Sequence, residues 1–126
     1  PFLLMGSLAG ALEAVAALRA YDADVIVPGH GPVCGPEIID TTLDYLRFVD
    51  DLARRAHAEQ VPPLQAARDT DLGRFADLTD RERIVGNLHR AYAELDGGER
   101  GAPIDLAAAL TDMVAYHGGR PLTCRA

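Results

Sequence analysis

The sequence predicts an α+β fold that is mainly α-helical. Four or five segments carry apolar residues at helical spacing, whereas one short run, residues 25–27, has the character of a strand. The chain has 126 residues, of which 48% are hydrophobic and 25% charged, as in an ordinary globular domain. We therefore expect helices around one core, with very little sheet.

The first predicted element is a helix over residues 7–20. Ser7 stands immediately before the first apolar residue, where its hydroxyl can accept a hydrogen bond from a free amide of the first turn. The apolar residues that follow at helical spacing are Leu8, Leu12, Val15 and Leu18.

A strand is predicted at residues 25–27. Its sequence, Val-Ile-Val, is a continuous apolar run that ends at Pro28 and Gly29, which indicates a strand buried on both faces. Burying a lone strand costs roughly 2–7 kcal/mol for each unpaired backbone group, so another strand must pair with it. Either residues 2–5 and the C-terminal tail supply that strand, or the sheet belongs to polypeptide outside this chain. The chain opens with proline inside an apolar run, so we expect it to be a piece of a longer protein.

A long amphipathic helix is predicted over residues 36–59. Pro36 suits the first helical position, and the carboxylates of Glu37 and Asp40 suit the positive end of the helix dipole. Its apolar face consists of Ile39, Leu43, Leu46, Val49 or Phe48, Ala53 and Ala56. Consecutive prolines end it, and one or two helical turns are predicted over residues 63–68.

Two further helices are predicted beyond a loop at residues 69–77. Residues 79–82, Thr-Asp-Arg-Glu, have the pattern of a capping box and begin a helix whose apolar face ends near a Gly-Gly pair at 97–98. The last helix runs over residues 105–117, and a tail that is extended at best follows at residues 121–124.

One histidine lies in a loop whose other residues, glycine and proline, have no reactive side chain. His30 has a glycine on each side and prolines beyond them, which allow a tight turn and keep bulk away from the imidazole ring. At the end of a buried strand, such a loop would hold the ring rigidly toward a crevice, as a metal ligand or general base requires. The alternative is a turn histidine that merely forms hydrogen bonds within its own loop.

The stretch DADVIVPGHGPVCGPE, residues 22–37, resembles the C-terminal part of the metallo-β-lactamase-fold hydrolases, the superfamily that includes the hydroxyacylglutathione hydrolases (glyoxalase II). In that family a strand ending in a Pro-Gly-His-Gly-Pro loop presents the last metal-binding histidine, and His30 matches it. The resemblance is specific over residues 22–40. It implies that residues 1–60 are the C-terminal part of an αβ/βα sandwich and that residues 61–126 are a helical C-terminal extension.

The family's other metal ligands have no counterpart in this sequence. They comprise a His-x-His-x-Asp-His motif, a further histidine and a bridging aspartate, all earlier in the family's chain. Since a catalytic zinc ion takes three protein ligands, His30 alone cannot hold one. The resemblance therefore implies a complete enzyme with two metal ions, usually zinc and in some members iron or manganese, and a small-molecule ester, thioester or amide substrate. It also implies that this chain by itself binds no zinc and is inactive.

The remaining histidines and cysteines favour structural roles. His89 borders an apolar stripe, His117 suits a helix C-terminus, and His57 follows two arginines and is expected to be solvated. Cys34 lies four residues after His30, but the intervening glycine and proline prevent a shared helical face for metal binding. The other cysteine, Cys124, is expected to be a reduced packing residue like Cys34.

Charge and hydropathy restrict the partners. The net charge is −7, and all 12 basic residues are arginines scattered along the chain, so we expect no nucleic-acid partner. No apolar run has the length of a membrane span, and no signal peptide is recognisable, so we predict no membrane partner and a cytoplasmic location.

Two functions remain open from the sequence. The first is the C-terminal portion of a metal-dependent hydrolase, whose partner is a missing N-terminal half. The second is a non-catalytic helical interaction module that binds a partner through an apolar face. In either case an incomplete sheet leads us to expect self-association of the isolated chain.

Overall fold

The computed structural model describes residues 1–123 and is mainly α-helical. Its helices are α1 Leu8–Ala17, α2 Glu37–Ala58, α3 Pro63–Asp69, α4 Arg83–Leu95 and α5 Leu106–Tyr116. Two 3₁₀ turns, Leu18–Tyr21 and Gly73–Phe75, extend α1 and interrupt the loop before α4. The mainly α part of the predicted fold is confirmed, and each of these helices lies where the sequence pattern predicted one.

The helix ends follow from local chemistry. Ser7 caps α1, because its Oγ accepts a hydrogen bond from the Gly10 amide at 3.0 Å. Asp105 caps α5 in the same way, accepting from the amide of Ala108 at 2.9 Å. At the end of α4, Gly97 takes a φ of 88°, a left-handed conformation that favours glycine.

The capping box predicted at residues 79–82 is wrong. Helix α4 begins at Arg83, and its N-cap residue, Glu82, makes no capping hydrogen bond. The reason is a left-handed residue within the predicted box. Asp80 has a φ of 53° and forms a turn in which its carbonyl accepts from the Arg83 amide at 3.0 Å, so the helix starts later.

The buried strand predicted at residues 25–27 is also wrong, and residues 1–123 contain no sheet. Ile26 forms a single antiparallel bridge with Cys34, while Val25 and Val27 are 64% and 75% exposed. The expected partner strand at residues 2–5 does not form, since that segment packs on α4 instead. The β part of the predicted α+β fold is therefore absent from residues 1–123, and so is the predicted αβ/βα sandwich.

Helices α2 and α4 form the centre of the molecule. They pack on each other, α1 lies against α2, and α3 and α5 lie against α4. The resulting core is one continuous cluster that includes Leu8, Leu46, Val49, Ala66, Val85, Leu88 and Met113. It therefore draws on both of the predicted regions, 1–60 and 61–126, whose division stays a prediction.

Polar side chains of α4 fix the N-terminal segment. The fully buried Asn87 accepts a hydrogen bond from the Leu3 amide at 2.8 Å and donates to the carbonyl of Pro1 at 3.1 Å. Arg90, also buried, donates from Nη2 to the Leu4 carbonyl at 2.8 Å. These bonds satisfy three backbone groups of residues 1–4, the Leu3 amide and the carbonyls of Pro1 and Leu4, without a sheet.

Candidate functional site

The loop that carries His30 is closed at its base by backbone hydrogen bonds. The Ile26 amide donates to the Cys34 carbonyl at 2.8 Å, and the Cys34 amide donates to the Ile26 carbonyl at 3.0 Å. The Cys34 thiol lies 3.7 Å from the same Ile26 carbonyl, so it is engaged within the loop. A paired base of this kind restricts the loop even though the expected strand does not form.

Glycine is required at one of the two positions beside His30. Gly31 has a φ of 96°, a conformation that residues with a side chain rarely adopt. Gly29 has no such φ, and a Cβ placed there would meet no atom within 4 Å. The conformational reason for glycine therefore holds at residue 31 and not at residue 29.

His30 lies at the edge of a cavity of about 650 Å³. The ring is exposed and makes no hydrogen bond or ion pair with any residue that the structure describes. The apolar walls of the cavity come from distant parts of the sequence, among them Phe2, Ile38, Leu72, Phe75 and Ile84. The loop, the long helix α2 and the start of α4 thus meet around one space.

The other three histidines each face a carboxylate from another element. His89 Nε2 lies 2.8 Å from Asp112 Oδ2, which joins α4 to α5. His117 Nδ1 lies 3.4 Å from the buried carboxylate of Glu82. The predictions that a neighbour satisfies His89 and that His117 lies at a helix C-terminus are thereby confirmed.

His57 differs from the prediction that it is solvated. Its side chain is half-buried, its Nε2 lies 2.8 Å from Asp96 Oδ1, and its ring packs edge-on against Tyr92. The pair joins the end of α2 to the end of α4. His57 therefore also has a structural role.

Tyr45 is an ionisable residue of the cavity wall whose side chain is buried. Burial raises the pKa of Tyr45 to about 12, although a hydrogen bond from Asn87 and the positive charge of Arg83 act in the opposite direction. Its hydroxyl accepts from Asn87 Nδ2 at 3.2 Å. Tyr45 is thus a neutral phenol at any physiological pH.

Sequence reasoning missed the cavity wall, although a signal was present. Ile38, Thr42 and Tyr45 are about one helical turn apart on α2 and line the cavity. They form a second stripe beside the core-facing stripe that the apolar pattern identified. A mixed stripe of apolar and hydroxyl residues next to a core face is the feature that could have predicted it.

Residues 1–123 contain no group of three or more histidine, cysteine, aspartate or glutamate side chains placed to share a metal ion. His30 therefore belongs to no such group in this part of the chain. None of the helices described combines the length and the apolar character needed to cross a membrane. Cys124 lies outside the described residues.

Comparisons with protein-family models, with curated proteins and with solved structures return no match to this chain. Any functional inference therefore depends on the residues themselves and on the resemblance of the His30 loop.

Proposed function

We propose that the chain is the C-terminal portion of a metal-dependent hydrolase of the metallo-β-lactamase superfamily, with His30 as one of its metal ligands. The observation that carries the proposal is the contrast among the four histidines. Three face carboxylates between helices, whereas His30 is exposed at a cavity and has no partner among residues 1–123. An imidazole kept free beside a cavity is available as a ligand.

The loop supplies what a histidine ligand needs. Its base is closed by the paired Ile26 and Cys34, so the loop loses little further freedom when the imidazole binds an ion. In the complete enzyme the bound metal would supply an activated hydroxide for attack on an ester, thioester or amide carbonyl. The described residues contain no group of three or more side chains placed to share a metal ion, so the other ligands are assigned to polypeptide outside the chain.

Exposed apolar residues near the start of the chain support a missing neighbour. Among residues 1–123, seven of the ten large hydrophobic residues that are exposed lie within residues 1–33. They are Phe2, Met5, Leu18, Tyr21, Val25, Val27 and Val33. In the complete protein, a preceding region would cover these side chains.

The test is to express the open reading frame that contains this chain from its own start codon. We expect the longer protein to bind zinc stoichiometrically and to hydrolyse ester or thioester substrates. Substituting His30→Ala should remove at least one zinc equivalent and most of the activity, because a catalytic zinc site depends on each of its ligands. His57→Ala is the matched control, since His57 is held by Asp96 and Tyr92 away from the cavity.

The outcome that contradicts the proposal is a longer protein whose zinc content and activity are the same with His30→Ala as with His57→Ala. A reading frame that begins at or near this chain, with a folded and inert product, would contradict it as well.

The second candidate function is a non-catalytic helical interaction module, which the same exposed apolar residues favour. Under this alternative, the face within residues 1–33 binds another protein and His30 has no metal to bind. The reading-frame experiment separates the two, because only the hydrolase gains zinc when the upstream residues are added. The cytoplasmic location stays a prediction under both.

A further inference from the structure

The cavity beside His30 has the properties of a small-molecule site in its own right. Its volume of about 650 Å³ falls within the range of about 300–1,000 Å³ that is typical of such sites. Aromatic and aliphatic side chains form most of its wall. Phe75 packs edge-on against Tyr45, with ring centroids 5.4 Å apart, which fixes both rings at the cavity.

The polar groups of the wall include hydroxyl donors. Thr42 is half-buried on α2 and has no hydrogen-bond partner among the residues described. The Tyr45 hydroxyl accepts from Asn87, and no acceptor for its own proton occurs within residues 1–123. Both hydroxyls can therefore donate to an oxygen of a bound molecule.

The charge at one wall is positive although the chain is acidic overall. Asp80, Arg81 and Arg83 line the cavity, so two positive charges stand against one negative charge there, whereas the net charge of the chain is −7. Arg83 binds the Asp80 carboxylate at 2.7 Å, and the neighbouring Glu82 carboxylate faces His117. Arg81 is exposed and forms no ion pair with a described residue, which leaves its charge for a ligand.

We propose that this cavity binds an amphipathic organic carboxylate, with the apolar part between α2 and the Gly73–Phe75 turn and the carboxylate near Arg81. The apolar wall provides the affinity, because burying a hydrocarbon group is favourable by roughly 25 cal/mol per Å². Arg81 and the hydroxyls provide the preference for an anion. This site depends on the cavity alone and requires neither a metal nor the hydrolase function.

The test uses three probes with the 126-residue chain: octanoate, the neutral 1-octanol and the short-chain butyrate. We expect octanoate to shift the backbone amide NMR signals of Ile38, Thr42, Leu72 and Phe75, and to bind more tightly than either of the other probes. Arg81→Gln should weaken octanoate binding by about three- to tenfold and leave octanol binding unchanged. Arg55→Gln is the control, because Arg55 is an exposed arginine that does not line the cavity.

A second variant tests the location. Thr42→Phe should fill the cavity and reduce the binding of octanoate and octanol together, provided that its circular dichroism spectrum is that of the parent. The proposal is overturned if octanoate does not bind at millimolar concentration, if the shifted amides lie away from the cavity, or if Arg81→Gln and Arg55→Gln act alike. None of these results depends on zinc, so failure here is distinct from failure of the hydrolase proposal.

Discussion

At the scale of single residues, Tyr45 couples protonation to folding. Its pKa is raised to about 12 by burial, while the pKa of an unfolded tyrosine is about 10. The folded protein therefore holds this proton more tightly than the unfolded chain does. The resulting stabilisation is fully present below pH 10 and is lost as the pH rises from 10 to 12, by roughly 2–3 kcal/mol in total.

We expect this loss to disappear in the variant Tyr45→Phe. The measurement is urea unfolding between pH 9 and pH 12, with absorbance at 295 nm to follow ionisation of the phenol. Tyr45→Phe should be less stable than the parent at pH 9, because it loses the hydrogen bond from Asn87, but should decline less steeply with pH. If the free energy of unfolding fell equally steeply with pH in the two proteins, the pKa of Tyr45 would be the same in the folded and unfolded states, which would contradict this prediction.

The residues that the sequence identified are those whose role depends on their immediate neighbours. The roles of Ser7 at a helix start and His117 at a helix end follow from local spacing, and both are confirmed. Asn87, in contrast, bonds to residues 42 and more positions away, Leu3 and Tyr45. No pattern within α4 shows that an interior asparagine is buried, because its partners are brought to it only by the tertiary fold.

At the scale of elements, the N-terminus of α1 is capped from two directions. The Ser7 hydroxyl accepts a hydrogen bond from the amide of Gly10. The Glu94 carboxylate of α4 accepts hydrogen bonds from the amides of Leu8 at 2.9 Å and Ala9 at 3.2 Å. Together they satisfy the first three amides of the helix, and the negative charge of Glu94 also suits the helix dipole.

Removing either cap should destabilise the protein measurably. We expect Ser7→Ala to cost about 1 kcal/mol, and Glu94→Gln about 1–2 kcal/mol because a charged acceptor is lost. Chemical denaturation at pH 7 gives both values. Ser7→Thr, which keeps the hydroxyl, and Glu99→Gln, an exposed glutamate without a described partner, should each change stability by a few tenths of a kcal/mol. A cost no greater than that of these controls would contradict the double cap.

Helices and strands differ in how their backbone hydrogen bonds are satisfied, which is why the helices were predictable and the strand was not. The helix α2 satisfies its own backbone, so its apolar stripe and proline start are enough to locate it. A strand needs a partner, and the run at residues 25–27 has the composition of a buried strand whatever surrounds it. In this chain it meets only Cys34, and its valines remain exposed.

At the scale of the whole molecule, most of the large apolar side chains that are exposed among the described residues lie before α2 in the sequence. Helices α2 to α5 supply most of the buried core, whereas the residues before α2 supply Leu3 and Leu8 to it and leave seven large apolar residues exposed. The sequence could predict this imbalance, since a lone apolar run implies a partner. It could not predict the cavity, because its wall joins residues from Phe2 to Ile84 that only folding brings together.

The exposed apolar residues before α2 predict self-association of the isolated chain. We expect a dimer or larger species whose population rises with concentration in light scattering and sedimentation, because covering the exposed valines removes apolar surface from water.

The combined variant Val25→Thr, Val27→Thr and Val33→Thr should shift the equilibrium toward monomer while leaving the unfolding midpoint nearly unchanged, since these side chains are 64%, 75% and 65% exposed. Leu110→Gln on α5 is the control, and it should leave association as it is. Under the hydrolase proposal, the protein with its upstream region should associate less than this chain, because that region would cover the same valines. A chain that stays monomeric at all concentrations and melts cooperatively would contradict this prediction, because it would show that the exposed valines do not drive association.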